Sequence, residues 1–449
     1  MAHLPLFLIF LGFTSAVLIP NLPNQPPVKF KQYSDYYSVG TNGNHQLHYW
    51  FLESQNNPST DPVLLWLTGG PGCSGFSAVF GEWGPFTVNG DGASLSLNPY
   101  SWNRNASMLV FESPAGVGYS YSKDGNVRTG DDQTASENWE GLKAFFTEFS
   151  QYQKNDFYIT GESYGGVYVP TLAQTILDRQ SQFQINIKGF AIGNGLVSAD
   201  TDTDGLVQFT HKHGLIDQLQ YQKAQTQCCT NGNMDDCPFH NMNGFDFCGS
   251  FVNNAVNMAW RGGLNPYNMY GDCVNSALAQ QYQIDLRRKF GPVDGVQPHQ
   301  LSTPPCVNES AVTVYMNRRD VRVAFAVPGL LGAWSICSDQ VSQEYRRQYD
   351  NVSSQVKNAL SAGLKVMLYY GDIDMACNFM GGQKFTAGLG LTQVAAKRSY
   401  HVGGQVAGFI TDWGQLKFVT VKGAGHLVPG DKPVTAAYIL DAFINNKKF

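Results

Sequence analysis

Charge is scarce in this chain. Only 14% of its 449 residues are Asp, Glu, Lys or Arg, the formal net charge is −5, and no basic run exceeds Arg287-Arg288-Lys289. No basic field is available to attract nucleic-acid phosphates, and 43% hydrophobic residues mark a globular protein with a large core. Long apolar runs are also lacking: Leu4 to Phe13 is too short to span a bilayer, so neither a membrane nor a nucleic acid is an expected partner. The same stretch, followed by the small residues Thr14-Ser15-Ala16, reads as a signal peptide over residues 1–16, with the mature chain starting near Val17. Internal repeats and low-complexity linkers are absent, which argues for one sheet domain rather than a string of modules.

Paired Cys-x-x-Cys spacing is missing as well, although there are nine cysteines. Cys228, Cys229, Cys237 and Cys248 crowd into an Asn- and Gly-rich region and read as a stapled loop; with only His240 nearby, zinc is the weaker reading. His211 and His213 fit an exposed helix or loop, so neither a metal nor a cofactor is expected. Asn105, Asn308 and Asn351 open glycosylation sequons, whereas Asn57 is excluded by Pro58. Together these features place the chain in the secretory pathway, lysosomal or extracellular.

The sequence is most specific at Gly161-Glu162-Ser163-Tyr164-Gly165. The apolar run Phe157 to Thr160 leads in and a helix-compatible run, Val167 to Leu177, leads out. Two glycines around a serine permit a sharp strand-to-helix turn that lifts the hydroxyl above a sheet. Partners follow in order. Lys365 to Tyr370 reads as a buried strand ending in Asp372 and Asp374, and Leu416 to Val421 as a strand running toward His426. Ser, then Asp, then His is the chain order of α/β-hydrolases, and at this stage either aspartate serves.

Further strand signals cover His45 to Leu52, Pro62 to Leu67, Ser107 to Glu112 and Ile187 to Ile192. They predict an α/β architecture: a mixed, mostly parallel central sheet flanked by helices, with core residues 17–197 and 307–449. The intervening 198–306, with a helix over Gly205 to Lys223, reads as an inserted, disulfide-stapled cap that limits access to the site.

Five motifs together resemble the serine carboxypeptidase family, within it the cathepsin A-like, protective-protein branch: Trp66-Leu-Thr-Gly-Gly-Pro-Gly-Cys-Ser74, Glu112-Ser-Pro-Ala-Gly-Val-Gly-Tyr-Ser120, Gly161-Glu-Ser-Tyr-Gly-Gly-Val-Tyr168, Gly371-Asp-Ile-Asp-Met-Ala-Cys-Asn378 and Gly423-Ala-Gly-His-Leu-Val-Pro429. The resemblance spans nearly the whole mature chain. It implies Ser163 as nucleophile, His426 as general base and then acid, Asp374 as its orienting carboxylate, and backbone N–H groups of Gly70 and Tyr164 as the oxyanion hole. For the substrate's terminal carboxylate it implies Glu82 and Glu162, which share a proton and so bind best at acid pH. It also implies disulfides Cys73–Cys337, Cys228–Cys248, Cys229–Cys237 and Cys273–Cys306, with Cys377 a buried free thiol. The family suggests a homodimer and, in a zymogen, cleavage into two chains, for which Arg287-Arg288-Lys289 is a suitable point.

Two positions depart from the pattern. Thr68 stands where the family usually has an Asn that helps bind the carboxylate, and Gly75 replaces a common serine. A lost hydrogen bond at Thr68 would weaken substrate anchoring by about 1–2 kcal/mol. The implied activity is therefore acid-acting removal of C-terminal, apolar residues from peptides. Esterase or acyltransferase chemistry on the same triad, and a protective scaffold for partner glycosidases, stand as alternatives.

Overall fold

The computed structural model describes residues 16–273, 306–307 and 310–449. Residues 1–15 of the expected signal peptide 1–16, the basic cluster at 287–289 and the sequon at Asn308 lie outside the described residues.

Strands form where buried side chains alternate between two faces. Along β4, Val63–Leu67, the side chains of Val63, Leu65 and Leu67 enter one apolar cluster while Leu64 and Trp66 enter another. The remaining strands are β1 Val17–Leu18, β2 Gln32–Val39, β3 His45–Leu52, β5 Phe86–Val88, β6 Leu95–Leu97, β7 Ser107–Phe111, β8 Tyr121–Ser122, β9 Phe157–Ser163, β10 Ile187–Gly195, β11 Lys365–Gly371, β12 Ala395–Val402, β13 Gln405–Trp413 and β14 Leu416–Val421. Among the described residues they build a 12-stranded sheet in the order β1-β2-β3-β7-β4-β9-β10-β11-β14-β13-β12, with β8 beside β3; β5 and β6 pair separately. From β7 to β14 the neighbours run parallel, and the outer strands are antiparallel.

Helices cover both faces. On one lie α2, Asp131–Glu148, and α3, Gly165–Asp178, whose Trp139, Phe145, Leu172 and Ile176 join the first cluster. On the other, α1, Gly75–Ala78, and the C-terminal helix Pro433–Ile444 join the second. Both apolar faces of the parallel strands are thereby buried.

Between β10 and β11 the chain leaves the sheet through α4, Ala199–Lys212, α5, Gln218–Gln227, and α6, Phe247–Arg261. The single helix expected over Gly205 to Lys223 is thus two helices. Gly214 takes φ +74° and breaks the first, and Asp217 caps the second by accepting from the N–H groups of Leu219 and Gln220. This segment has its own small core around Val207, Phe239 and Phe251, with disulfides Cys228–Cys248 and Cys229–Cys237. Two further bridges join Cys73 to Cys337 and Cys273 to Cys306.

One buried pair ties stability to pH. His45 Nδ1 lies 2.9 Å from Glu137, and Nε2 lies 3.1 Å from the Asn126 carbonyl oxygen. The hydrogen bond to Glu137 holds the imidazole above its ordinary value against burial, which pulls the other way. A raised histidine contributes stability that is complete below the unfolded value, about 6.5, and is lost as pH climbs through the folded one. His45→Gln should therefore lower the urea midpoint by the equivalent of about 1–2 kcal/mol at pH 6 and by less at pH 8. An equal loss at both pH values in paired denaturation curves would contradict this linkage.

Candidate active site

All strands that carry the motif residues are parallel, so their carboxyl ends open on one edge of the sheet, where α/β sheets bind ligands. β9 ends at Ser163, whose φ of 62° is left-handed, and α3 begins two residues on at Gly165. Strain of this kind in a non-glycine residue persists only where surrounding structure enforces it. Here the enforcing contact is β4. A Cβ on Gly161 or Gly165 would stand 2.6 or 2.9 Å from the Leu67 carbonyl oxygen, so only glycines let the turn close against that strand.

The Thr68-Gly69-Gly70 loop leaves β4 on the same edge. A Cβ on Gly69 would lie 2.7 Å from Ser163 Cβ and would collide with the Tyr164 backbone nitrogen; Gly70 takes φ +114°. Backbone, not side chain, therefore faces the serine. The loop is held from below: its Cys73 is bonded to Cys337, and the next residue, Ser74, donates 2.5 Å to the fully buried Glu112, which also accepts from Trp334 Nε1 at 2.8 Å.

The two aspartates after β11 divide. Asp374, fully buried, accepts from His426 Nδ1 at 2.8 Å, Asn194 Nδ2 at 2.8 Å, and the backbone N–H groups of Ala376 and Cys377 at 2.9 and 3.1 Å. Asp372 instead accepts from the Gly423 N–H at 2.7 Å, and burial pushes its carboxyl above the usual range. With Nδ1–H donated to Asp374, His426 keeps Nε2 as its basic nitrogen. The histidine is itself buried, its backbone N–H donating 2.6 Å to the Tyr267 carbonyl and its ring 5.0 Å from the Tyr267 ring.

The sequence pattern of the serine carboxypeptidases matches residues 20–446. The chain belongs to the serine carboxypeptidase family. It is 38% identical to the lysosomal protective protein of Mus musculus over 96% of this chain and 93% of that one, and 38% identical, with the same coverage, to the serine carboxypeptidase ctsa-4.1 of Caenorhabditis elegans. The crystal structure of a prohormone-processing carboxypeptidase from Saccharomyces cerevisiae superposes with a TM-score of 0.72 at 21% identity, over 95% of this chain and 93% of that one. That likeness carries the fold, the α/β-hydrolase.

Of the other motif residues of this serine carboxypeptidase, Glu162 directly precedes the serine, and Thr68 directly precedes Gly69. Glu162 and Glu82 are 3% and 8% exposed, too little for ordinary surface carboxylates. Both act on one neighbour: burial first, then the carboxylates of Glu162 and Glu82, push the Tyr369 hydroxyl well above its ordinary value. Thr68, partly exposed, accepts from Trp66 Nε1 at 2.7 Å, which leaves its hydroxyl proton free to donate elsewhere. Cys377 is buried and forms no disulfide. Asn105 and Asn351 are exposed. Among the described residues no group of three His, Cys, Asp or Glu is placed to hold a metal, and no helix is long and apolar enough to cross a membrane.

Asn194 escaped the sequence reading. It sits in β10 at φ 37°, bonds Asp374 with its amide and accepts from the Gly371 N–H at 2.9 Å, so one side chain braces the aspartate and the strand end that bears it. The Gly193-Asn194-Gly195 run was its only signal. Tyr369 escaped likewise; a Cβ on Gly193 would meet its hydroxyl at 2.6 Å. Asn194→Ala should cost about 1–3 kcal/mol of catalytic barrier, roughly 5- to 150-fold in kcat, by leaving one buried acceptor and one donor unsatisfied. Retention of kcat within twofold in steady-state assays of the folded variant would contradict the bracing role.

Proposed function

We propose that this serine carboxypeptidase removes C-terminal residues from peptides at acid pH through Ser163, His426 and Asp374. The observation that carries the reading is the saturated Asp374 carboxylate directed at His426 Nδ1, beside a serine in a strained strand-to-helix turn. Ser163 Oγ attacks the scissile carbonyl carbon while His426 Nε2 takes its proton. Backbone N–H groups of Gly70 and Tyr164 receive the oxyanion. Collapse breaks the C–N bond, His426 returns the proton to the leaving amine, and an acyl-enzyme on Ser163 remains. Water, deprotonated by the same nitrogen, then releases the shortened peptide.

Selection of a chain end rests on Glu82 and Glu162, with Thr68 donating. Two such carboxyls side by side cannot both ionise readily. The pair keeps one proton, which bonds the substrate's carboxylate and is lost as pH rises. An apolar residue next to the scissile bond fits an aromatic neighbour such as Tyr267, whose ring lies 5.0 Å from that of His426. The inserted helices of 198–306 serve as the cap over the site. The murine relative is named a lysosomal protective protein, and we place this chain in the same secretory route, lysosomal or extracellular, glycosylated at Asn105, Asn308 and Asn351.

Hydrolysis of one N-blocked dipeptide, as free acid and as amide, tests the reading. The free acid should be preferred at pH 5 by about tenfold or more, its KM should rise toward pH 7.5, and Ser163→Ala should abolish turnover. Equal use of acid and amide would favour esterase or acyltransferase chemistry. No turnover of either would favour a scaffold for glycosidase partners, acting as a homodimer or alone.

A further inference from the structure

The pentapeptide Asn265–Met269, which follows α6 in the inserted segment, contacts both loops that carry the acid and the base. The Pro266 carbonyl accepts from Met375 N–H at 2.9 Å and Ala376 N–H at 3.1 Å, the residues directly after Asp374. Met269 N–H donates 3.0 Å to the Ile373 carbonyl, directly before it. Between these, the Tyr267 carbonyl accepts from His426 N–H at 2.6 Å, and the Tyr267 ring packs at 56° on the imidazole. Gly425 seats against the same strap: a Cβ there would lie 2.8 Å from Asn268 Cβ. The strap's own shape depends on Asn265. This side chain is 8% exposed, its Oδ1 accepts from Tyr267 N–H at 3.0 Å, closing an Asx turn, and its Nδ2 donates 3.4 Å to the Asp272 carbonyl.

We propose that this strap positions His426 against Asp374, and that Asn265 is the positioning residue that sets it. Neither sheet strand can do this alone. The β11–β14 ladder ends at Gly371 and Val421, and the last direct backbone bonds between the two segments, Asp372 N–H to the Val421 carbonyl at 3.2 Å and Ile373 N–H to the Ala424 carbonyl at 3.1 Å, stop short of Asp374 and His426, so the two side chains stand on loops beyond them. The strap gives those loops a shared set of backbone partners, and the inserted segment is thereby part of the catalytic centre as well as its cover. Asn265 touches neither triad side chain; it acts through the Tyr267 peptide. Displacement of a catalytic group by about 1 Å can cost about 100-fold in rate.

This inference rests on the triad reading, and the test separates the two. Parent, Asn265→Ala and Asn265→Asp are titrated with a serine-directed organophosphorus reagent, with Ser163→Ala as blank, and kcat and KM of the N-blocked dipeptide acid are expressed per titrated site. Asn265→Ala should lose about 10- to 100-fold in kcat with KM changed less than threefold. Asn265→Asp, which keeps the acceptor for Tyr267 N–H but loses the 3.4 Å bond to the Asp272 carbonyl, should retain several-fold more of the parent's kcat than Asn265→Ala does. A structural role alone would lower the titratable fraction and the melting temperature of Asn265→Ala while leaving kcat per site unchanged, and that result would overturn the proposal. A parent that does not titrate would instead overturn the triad.

Discussion

The arrangement hangs on one buried carboxylate, that of Asp374. Asp374 has no exposure, and an isolated charge there would be costly. Its neighbours meet that cost with fixed donors: His426 Nδ1, the Asn194 amide, and two backbone N–H groups of its own loop. Because these donors come from three stretches of chain, the carboxylate requires β10, β11 and the loop after β14 to end at the same height. The parallel registers of β10 with β11 and of β11 with β14 supply that condition. A buried anion that is hydrogen-bonded on both oxygens does not turn, so the imidazole it meets has one orientation.

Glycines make the other half of the site by omission. Gly69, Gly161 and Gly165 leave no atom between the end of β4 and the serine turn, and Gly193 leaves room for Tyr369. On the function proposed above, Ser163 is a nucleophile with backbone donors on one side and acidic side chains on the other: negative charge developing on a substrate oxygen would meet N–H groups, and negative charge already present at a chain end would meet Glu82, Glu162 and Thr68. Such an enzyme would gain from acidity at the second place, provided that its base still works. Buried His45, held above its ordinary value by Glu137, favours the folded chain in the same direction.

Much of this was legible because the central strands are apolar on both faces. β4, β7 and β11 announce themselves as near-continuous hydrophobic runs, and β3, β9, β10 and β14 as apolar runs with a few polar residues set among them. Their ends did not: β9 and β10 continue into Gly161-Glu162-Ser163 and Gly193-Asn194-Gly195, where glycine and polar residues hide the strand. The hairpin of β12 and β13 was missed because it lies at an edge and buries little beyond Tyr400 and Ile410, while Lys397, Arg398 and His401 face out. The break between α4 and α5 was underweighted, although Gly214 marks it. Ser163, His426 and the pair Asp372 and Asp374 stood out by order and setting, and the family resemblance chose Asp374 of the two. Asn194 and Asn265 did not, since holding a loop or a carboxylate needs only one amide at the right height, and no spacing in the chain encodes that; Tyr369 reads as one more aromatic in an apolar strand.

Trapping the acyl-enzyme would test the central claim most directly. The protein is mixed with a slowly deacylating N-blocked amino-acid ester, quenched in acid within milliseconds, digested and analysed by mass spectrometry. The account expects one acyl group per chain, on Ser163 within residues 161–168, and none when His426 is replaced by Ala. An acyl group on any other residue, or turnover with no covalent species formed, would contradict it.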